Sequence, residues 1–270
     1  MRNWIKIACL VGFWGTQGLA QTTALTGLEA EYQALGWQAI GRLDADGAGF
    51  CTATLIDPET VLTAAHCVFD QRGAPVAPER LSFRAGLRNG SVVAERGIAQ
   101  IEAHASYRPG RGFGLENVRH DVALLRLSQP IPTHEIDPFA LHRGVVAPGP
   151  VSVVSYGRGR AELPSRQKMC QMVGQRDGVL AMNCDVTFGS SGAPVFSHQN
   201  GRGRIVSIIS GMVTSNGAKV ILGMELPDVV ATLKSAMRAN AARPVATIRR
   251  LGADSDKTGT GAKFVRSGGS

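Results

Sequence analysis

The heptad Phe188-Gly189-Ser190-Ser191-Gly192-Ala193-Pro194 carries the residues of this chain best suited to chemistry. Glycines at 189 and 192 allow backbone angles that other residues avoid. A turn of this kind can push a serine hydroxyl outward and leave backbone N–H groups aimed at one spot. Acyl transfer needs that arrangement, a nucleophile beside donors for a developing oxyanion. A serine is a weak nucleophile until a base takes its proton. The candidate base is His66, which ends the apolar run Val61-Leu62-Thr63-Ala64-Ala65 and is followed by Cys67. An imidazole near its reference pKa can accept a proton at neutral pH and return it. The stretch His120-Asp121-Val122-Ala123-Leu124-Leu125-Arg126-Leu127 supplies a carboxylate, Asp121, that would hold one ring nitrogen and stabilise the imidazolium.

The three stretches together resemble the trypsin/chymotrypsin-like serine proteases. Thr63-Ala64-Ala65-His66-Cys67 matches that family's histidine motif residue for residue. His120-Asp121-Val122-Ala123-Leu124-Leu125 is similar to its aspartate motif, and Gly189-Ser190-Ser191-Gly192-Ala193-Pro194 to its Gly-Asp-Ser-Gly-Gly-Pro motif with two changes. The order histidine, aspartate, serine is the family's order, and the resemblance covers residues 35–240. It implies His66, Asp121 and Ser191 as catalytic residues, with the N–H groups of Gly189 and Ser191 as oxyanion donors. Ser190 is the competing nucleophile. Motif alignment favours Ser191, which stands directly before Gly192.

The departures from the family pattern carry information. In the trypsin branch the residue before the nucleophile is an aspartate that pairs with a newly cut N-terminal amine. Here it is Ser190, and no Ile-Val-Gly-Gly start is present, so activation by that ion pair is not expected. The chain looks closer to the bacterial, glutamyl-endopeptidase-like branch. Ala193 replaces a glycine, which requires a negative φ at that position. Asp185 stands where trypsin-like members place the aspartate that binds a basic P1 side chain, although it follows Cys184 directly and is nearly as well explained as a structural carboxylate. The glutamyl branch uses a histidine across the pocket, and Ile208-Ile209-Ser210-Gly211 offers none. Ser210 and Gly211 are expected to present a strand edge to an extended substrate.

These residues must be positioned by β-structure. Short apolar runs separated by turn signals fill the chain from Trp37 onward, among them Phe50–Ile56, Arg80–Ala85, Ser91–Ala103, Val151–Tyr156, Gln167–Val173, Val179–Met182 and Arg204–Met212. Composition alone says all-β with one or two domains. The resemblance implies two six-stranded antiparallel β-barrels with the active site between them and a C-terminal α-helix. The expected divisions are a signal peptide over 1–20, an N-terminal arm over 21–35, a first barrel over 36–130 holding His66 and Asp121, a second barrel plus helix over 131–241 holding Ser191, and a flexible basic tail over 242–270. Pro130, Pro132 and Pro138 mark the connector. Pro227–Ala239 reads as the helix, with Val230, Leu233 and Met237 on one face.

The chain opens with Arg2 and Lys6, an apolar run over Ile7–Trp14 and small residues up to Ala20, the pattern of a secretory leader cut near Ala20. A secreted or periplasmic location follows, with no integral membrane segment in the mature form. Of five cysteines, Cys9 leaves with the leader. The pairing of Cys51, Cys67, Cys170 and Cys184 is open from sequence alone. The resemblance implies Cys51–Cys67, and Cys170–Cys184 is then the second pair. No metal or cofactor is called for: the cysteines lack zinc spacing, and the Asp70–Glu79 loop is too poor in acids for calcium. The net charge of +8 is scattered through loops, with no basic helix or aromatic-interleaved stripe of the kind nucleic-acid binders carry. The expected protein is a monomeric secreted endopeptidase acting on protein or peptide substrates. The rival readings are a catalytically silent protease-like binding module and an esterase-like acyl hydrolase on the same fold.

Overall fold

The computed structural model describes residues 22–241 except 47–48, 113, 199–201 and 216. The expected leader and the 242–270 tail lie outside the described residues. The strands are β1 (Leu25–Gly27), β2 (Ile40–Ala45), β3 (Gly49–Asp57), β4 (Thr60–Thr63), β5 (Leu81–Ala85), β6 (Ala94–Ala103), β7 (Ala123–Leu127), β8 (Pro150–Gly157), β9 (Arg160–Arg176), β10 (Val179–Met182), β11 (Pro194–Ser197), β12 (Arg204–Ser215) and β13 (Ala218–Met224). The helices are α1 (Glu31–Ala34), α2 (Leu115–Arg119) and α3 (Pro227–Ala241).

Strands β2-β3-β4-β7-β6-β5 close into one antiparallel barrel. By register Leu43, Leu55, Val61, Phe83 and Leu125 share one face and fill the interior, each 1% exposed or less. The second sheet runs β1-β9-β10-β13-β12-β11-β8, and β9 pairs again with β8 to close a second six-stranded barrel. Val153, Val195, Val206 and Ile221 lie in its core. The all-β double-barrel fold expected from the sequence is therefore the fold of the chain.

The arm over 21–35 has more structure than its sequence pattern suggests. β1 pairs antiparallel with β9 from Leu25↔Gln167 to Gly27↔Ser165, so the chain enters on the second barrel before building the first. β9 runs to 17 residues, well beyond the apolar stretch 167–173, because it serves β8, β1 and β10 in turn. Its first half, with Arg160, Glu162, Pro164 and Arg166, is too polar to read as a strand.

The helix α3, placed with the second barrel by its position in the sequence, packs on the first. Val230, Leu233 and Met237 are buried in the cluster that includes the first-barrel core, against β6 and β7. Gln100 Nε2 donates to the Met237 carbonyl at 2.9 Å, and Lys234 Nζ reaches Asp57 Oδ2 at 2.6 Å. The last described helix thus ties back across the molecule to the barrel that carries His66.

Candidate active site

His66 sits on a single helical turn directly after β4, Asp121 just past α2 and ahead of β7, and Ser191 in the loop between β10 and β11. Pairing of β4 with β7 from Thr60↔Arg126 to Thr63↔Ala123 brings the histidine turn and the aspartate to the same barrel end. Asp121 is 2% exposed. Its Oδ2 lies 2.7 Å from His66 Nδ1 and accepts the Ser210 hydroxyl at 2.5 Å, while Oδ1 accepts the His66 backbone N–H at 2.8 Å. The carboxylate is thus held from both barrels, and the imidazole is held by the carboxylate. Burial acts to lower the His66 pKa; the charge and hydrogen bond of Asp121 outweigh it, and the net shift is upward from 6.5.

The two serines of the heptad have opposite surroundings. Ser190 is fully buried. Its hydroxyl accepts from Arg160 Nη2 at 3.1 Å and from the Thr187 N–H at 3.3 Å, and its one proton reaches the Tyr156 carbonyl at 3.0 Å or Ser155 Oγ at 3.1 Å. The Ser191 side chain makes no hydrogen bond among the described residues, and Ser191 lines the same cleft as His66. Serine–base hydrogen bonds of this kind often tighten only when substrate is bound. The geometry leaves Ser191, and not Ser190, with a hydroxyl open to the cleft.

The backbone follows the same division. The N–H groups of Ser190, Gly192 and Ala193 donate to Thr187, Ile209 and Ser190 carbonyls. Those of Gly189 and Ser191 have no acceptor among the described residues. The glycines on either side of the serine pair are required by close packing as well as by φ. Gly189 has φ +92°, and a Cβ there would stand 2.4 Å from the Phe50 ring; Gly192 has φ +76°, and a Cβ would stand 2.3 Å from Thr63 Oγ1. Ala193 is not among the residues with positive φ, so its methyl is accommodated, buried, without strain.

The cleft between the barrels holds about 790 Å³. Val186, Phe188, Ile209 and Met212 wall it on the second barrel, and Phe50 and Val76 on the first. The Arg158 guanidinium stacks over the Phe188 ring at 4.5 Å on the rim. Ser210 and Gly211 line the cleft as expected. β11 begins at Pro194, opposite Ile208, so β12 loses that neighbour just beyond Ile209 and runs on along the cleft. Ser210 has a second duty that its sequence context did not announce, the hydrogen bond to Asp121.

Asp185 is not in the cleft wall. Its carboxylate is 65% exposed and lies 3.7 Å from Lys219 Nζ, while Lys219 also donates to the Val186 carbonyl. Asp185 directly follows Cys184, which is joined to Cys170 of β9, and it is not among the residues lining the cleft. Among the described residues no carboxylate lines the main cleft. Both disulfides are formed, Cys51–Cys67 and Cys170–Cys184. Cys51, His66 and Cys67 cluster closely enough to suggest a metal site, but the two sulfurs are joined to each other and neither is available as a thiolate ligand. His120, beside Asp121, stacks on His104 with ring centroids 4.4 Å apart, as a packing residue would.

Sequence reasoning missed Thr52, Ser155, Tyr156 and Arg160. Thr52 of β3 donates its N–H to the Ser191 carbonyl at 2.9 Å and its hydroxyl to the Gly189 carbonyl at 2.9 Å, and its oxygen accepts the Tyr156 N–H at 3.0 Å. One threonine of the first barrel therefore fastens the 189–191 loop of the second. Its position just after Cys51 was the only available hint.

Two closed antiparallel barrels with a cleft at their seam define the chymotrypsin-like class of fold. Residues 49–208 match the family model of the trypsin-like peptidase domain, and the chain belongs to that family. It is similar to coagulation factor XII of Rattus norvegicus, 43% identical over 81 residues, which is 30% of this chain and 13% of that protein. It is similar to kallikrein-2 of Homo sapiens, 31% identical over 132 residues, 47% of this chain and 48% of that protein. The matched region spans less than half the length of these curated relatives. Among solved structures it is similar to a Glu endopeptidase in complex with MPD, with TM-score 0.65, 15% identity, and coverage of 79% of this chain and 97% of that one. At that identity the likeness is one of fold. Among the described residues no helix is long and apolar enough to cross a membrane.

Proposed function

We propose that this chain is a secreted serine endopeptidase in which Ser191 is the nucleophile, His66 the general base and acid, and Asp121 the residue that orients His66. The observation that carries the reading is the Asp121–His66 pair, 2.7 Å apart, with His66 lining the same cleft as a serine whose hydroxyl has no partner among the described residues. His66 Nε2 takes the Ser191 proton as Oγ bonds to the scissile carbonyl carbon. The carbonyl oxygen becomes an oxyanion and is received by the N–H groups of Gly189 and Ser191. His66 then returns the proton to the leaving amine as the C–N bond breaks, giving an acyl-enzyme. Water, deprotonated by His66, releases the acid and restores the serine.

The cleft lining is mostly apolar, with Arg158 on its rim and no carboxylate among the described residues, so it does not favour the basic side chain that Asp185 suggested. The substrate backbone would lie against Ser210–Met212. The leader and the two disulfides fit a secreted or periplasmic enzyme, and a monomer is sufficient for the site.

Hydrolysis of casein and of a simple ester, each measured for the full chain and for Ser191→Ala, tests this reading. Cleavage of both, lost in the variant, is expected. Ester cleavage without casein cleavage would make the chain an acyl hydrolase of small substrates, and neither activity would leave a binding module.

A further inference from the structure

The turn between β8 and β9 lies directly behind the loop that bears the two free N–H groups. Arg158 N–H donates to the Phe188 carbonyl at 2.7 Å, on one side of Gly189. Arg160 Nη2 donates to the Ser190 hydroxyl at 3.1 Å, on the other side. The same guanidinium donates to the Ser155 hydroxyl at 2.9 Å and to the Ser155 carbonyl, so its fork is fixed from below. Contact is close throughout: a Cβ on Gly157 would stand 2.9 Å from Arg160 Nη2, and a Cβ on Gly189 would stand 3.2 Å from Gly157 Cα. Arg160 is half-buried, and a guanidinium stays charged even there. Burial lowers its pKa, and the charge of Asp185 acts in the opposite sense.

We propose that Arg160 is a positioning residue that locks the 187–191 loop with the Gly189 and Ser191 N–H groups facing the cleft. The proposal rests on the endopeptidase reading. Ser190 cannot hold the loop by charge, and its hydroxyl is oriented by the partners it finds. Among the described residues Arg160 is the one cation that bonds it, and it belongs to a strand of the same barrel. The oxyanion donors are thereby set by the folded chain itself and do not wait for a terminal amine released by cleavage. Charged donors make stronger hydrogen bonds than neutral ones, which suits a bond that must keep a loop in a single conformation.

The test uses the full chain carrying Arg160→Ala, and Arg160→Met as the variant that keeps the stem and loses the fork. Active sites are counted by the endpoint of fluorophosphonate titration, and kcat and KM are expressed per titrated site. The expected result is a fall in kcat of roughly 10- to 100-fold, up to the loss of a whole oxyanion donor, with KM nearly unchanged. Added guanidinium, at concentrations that leave the wild type folded, is expected to restore part of the kcat of Arg160→Ala in a saturable manner. A kcat per site within about threefold of wild type would overturn the proposal. So would a loss in which KM rises in step and guanidinium restores nothing, because that marks general distortion of the cleft. An inert wild-type chain would instead overturn the endopeptidase reading on which the proposal stands.

Discussion

Thr52 Oγ1 donates to the Gly189 carbonyl at 2.9 Å, across the seam between the two barrels. The bond fixes the peptide plane on one side of the proposed oxyanion site from a strand that carries no catalytic residue. Thr52 is fully buried, and its oxygen is also the acceptor for the Tyr156 N–H. Thr52→Val keeps the shape and removes both bonds. A buried donor left without a partner costs about 1–3 kcal/mol. The variant is expected to lose that much stability by denaturant titration and to lose kcat as well, with KM little changed. Wild-type kcat in a destabilised variant would show that the seam bond serves folding alone.

Ser190 and Ser191 separate structure from chemistry within one dipeptide. Ser191→Ala should abolish turnover and leave the melting temperature close to wild type, because the hydroxyl makes no hydrogen bond among the described residues. Ser190→Ala should lower stability by about 1–3 kcal/mol, since it removes the buried bond to the Tyr156 carbonyl and the acceptor that the Arg160 guanidinium and the Thr187 N–H share. The paired measurement is thermal unfolding together with steady-state hydrolysis. Reversal of the two phenotypes would exchange the proposed roles.

The fold was legible where chemistry and pattern coincided. Thr63-Ala64-Ala65-His66-Cys67 marked the histidine turn, the runs before and after it gave the first barrel, and Val230, Leu233 and Met237 marked the helix. The partner of that helix was not legible, because an apolar face does not say which apolar face will cover it. β1 was missed because a short edge strand such as Leu25-Thr26-Gly27 shows no periodicity. Arg160 was read as one of several loop cations, since nothing local distinguishes a guanidinium in water from one aimed at a buried hydroxyl thirty residues away in sequence. Asp185 has the spacing from Ser191 that a pocket carboxylate would have, but its exposed side chain lies beside Lys219 and outside the cleft lining.

The Asp121–His66 pair sets the pH response. The folded-state pKa of His66 lies above 6.5. A base must be neutral to act, so the acid limb of kcat/KM is expected to have its midpoint above 6.5, the ordinary histidine value. For stability the sign is opposite: protonation favours the fold, so the pair contributes fully below about pH 6.5 and its contribution fades as pH rises through the folded-state midpoint. Asp121→Asn should move the acid limb downward and lower kcat by about 10⁴-fold, as in other triads of this type. An unmoved limb would place the controlling titration on another group.

Cys51–Cys67 closes a loop with a sequence separation of 16 and joins β3 to the histidine turn. A loop of this size is worth about 3 kcal/mol. Replacing both cysteines by alanine should cost about that much in chemical unfolding, and the activity of the folded fraction should fall because His66 is released from β3. Unaltered activity per folded molecule would show that Asp121 alone positions the imidazole.

The most direct measurement of the central claim is the site of covalent labelling by a fluorophosphonate, read by peptide mass spectrometry on the full chain. The account predicts one label per molecule, on Ser191, with Ser190 untouched and labelling lost in His66→Ala. A label on Ser190, or labelling of Ser191 that is indifferent to His66, would contradict it.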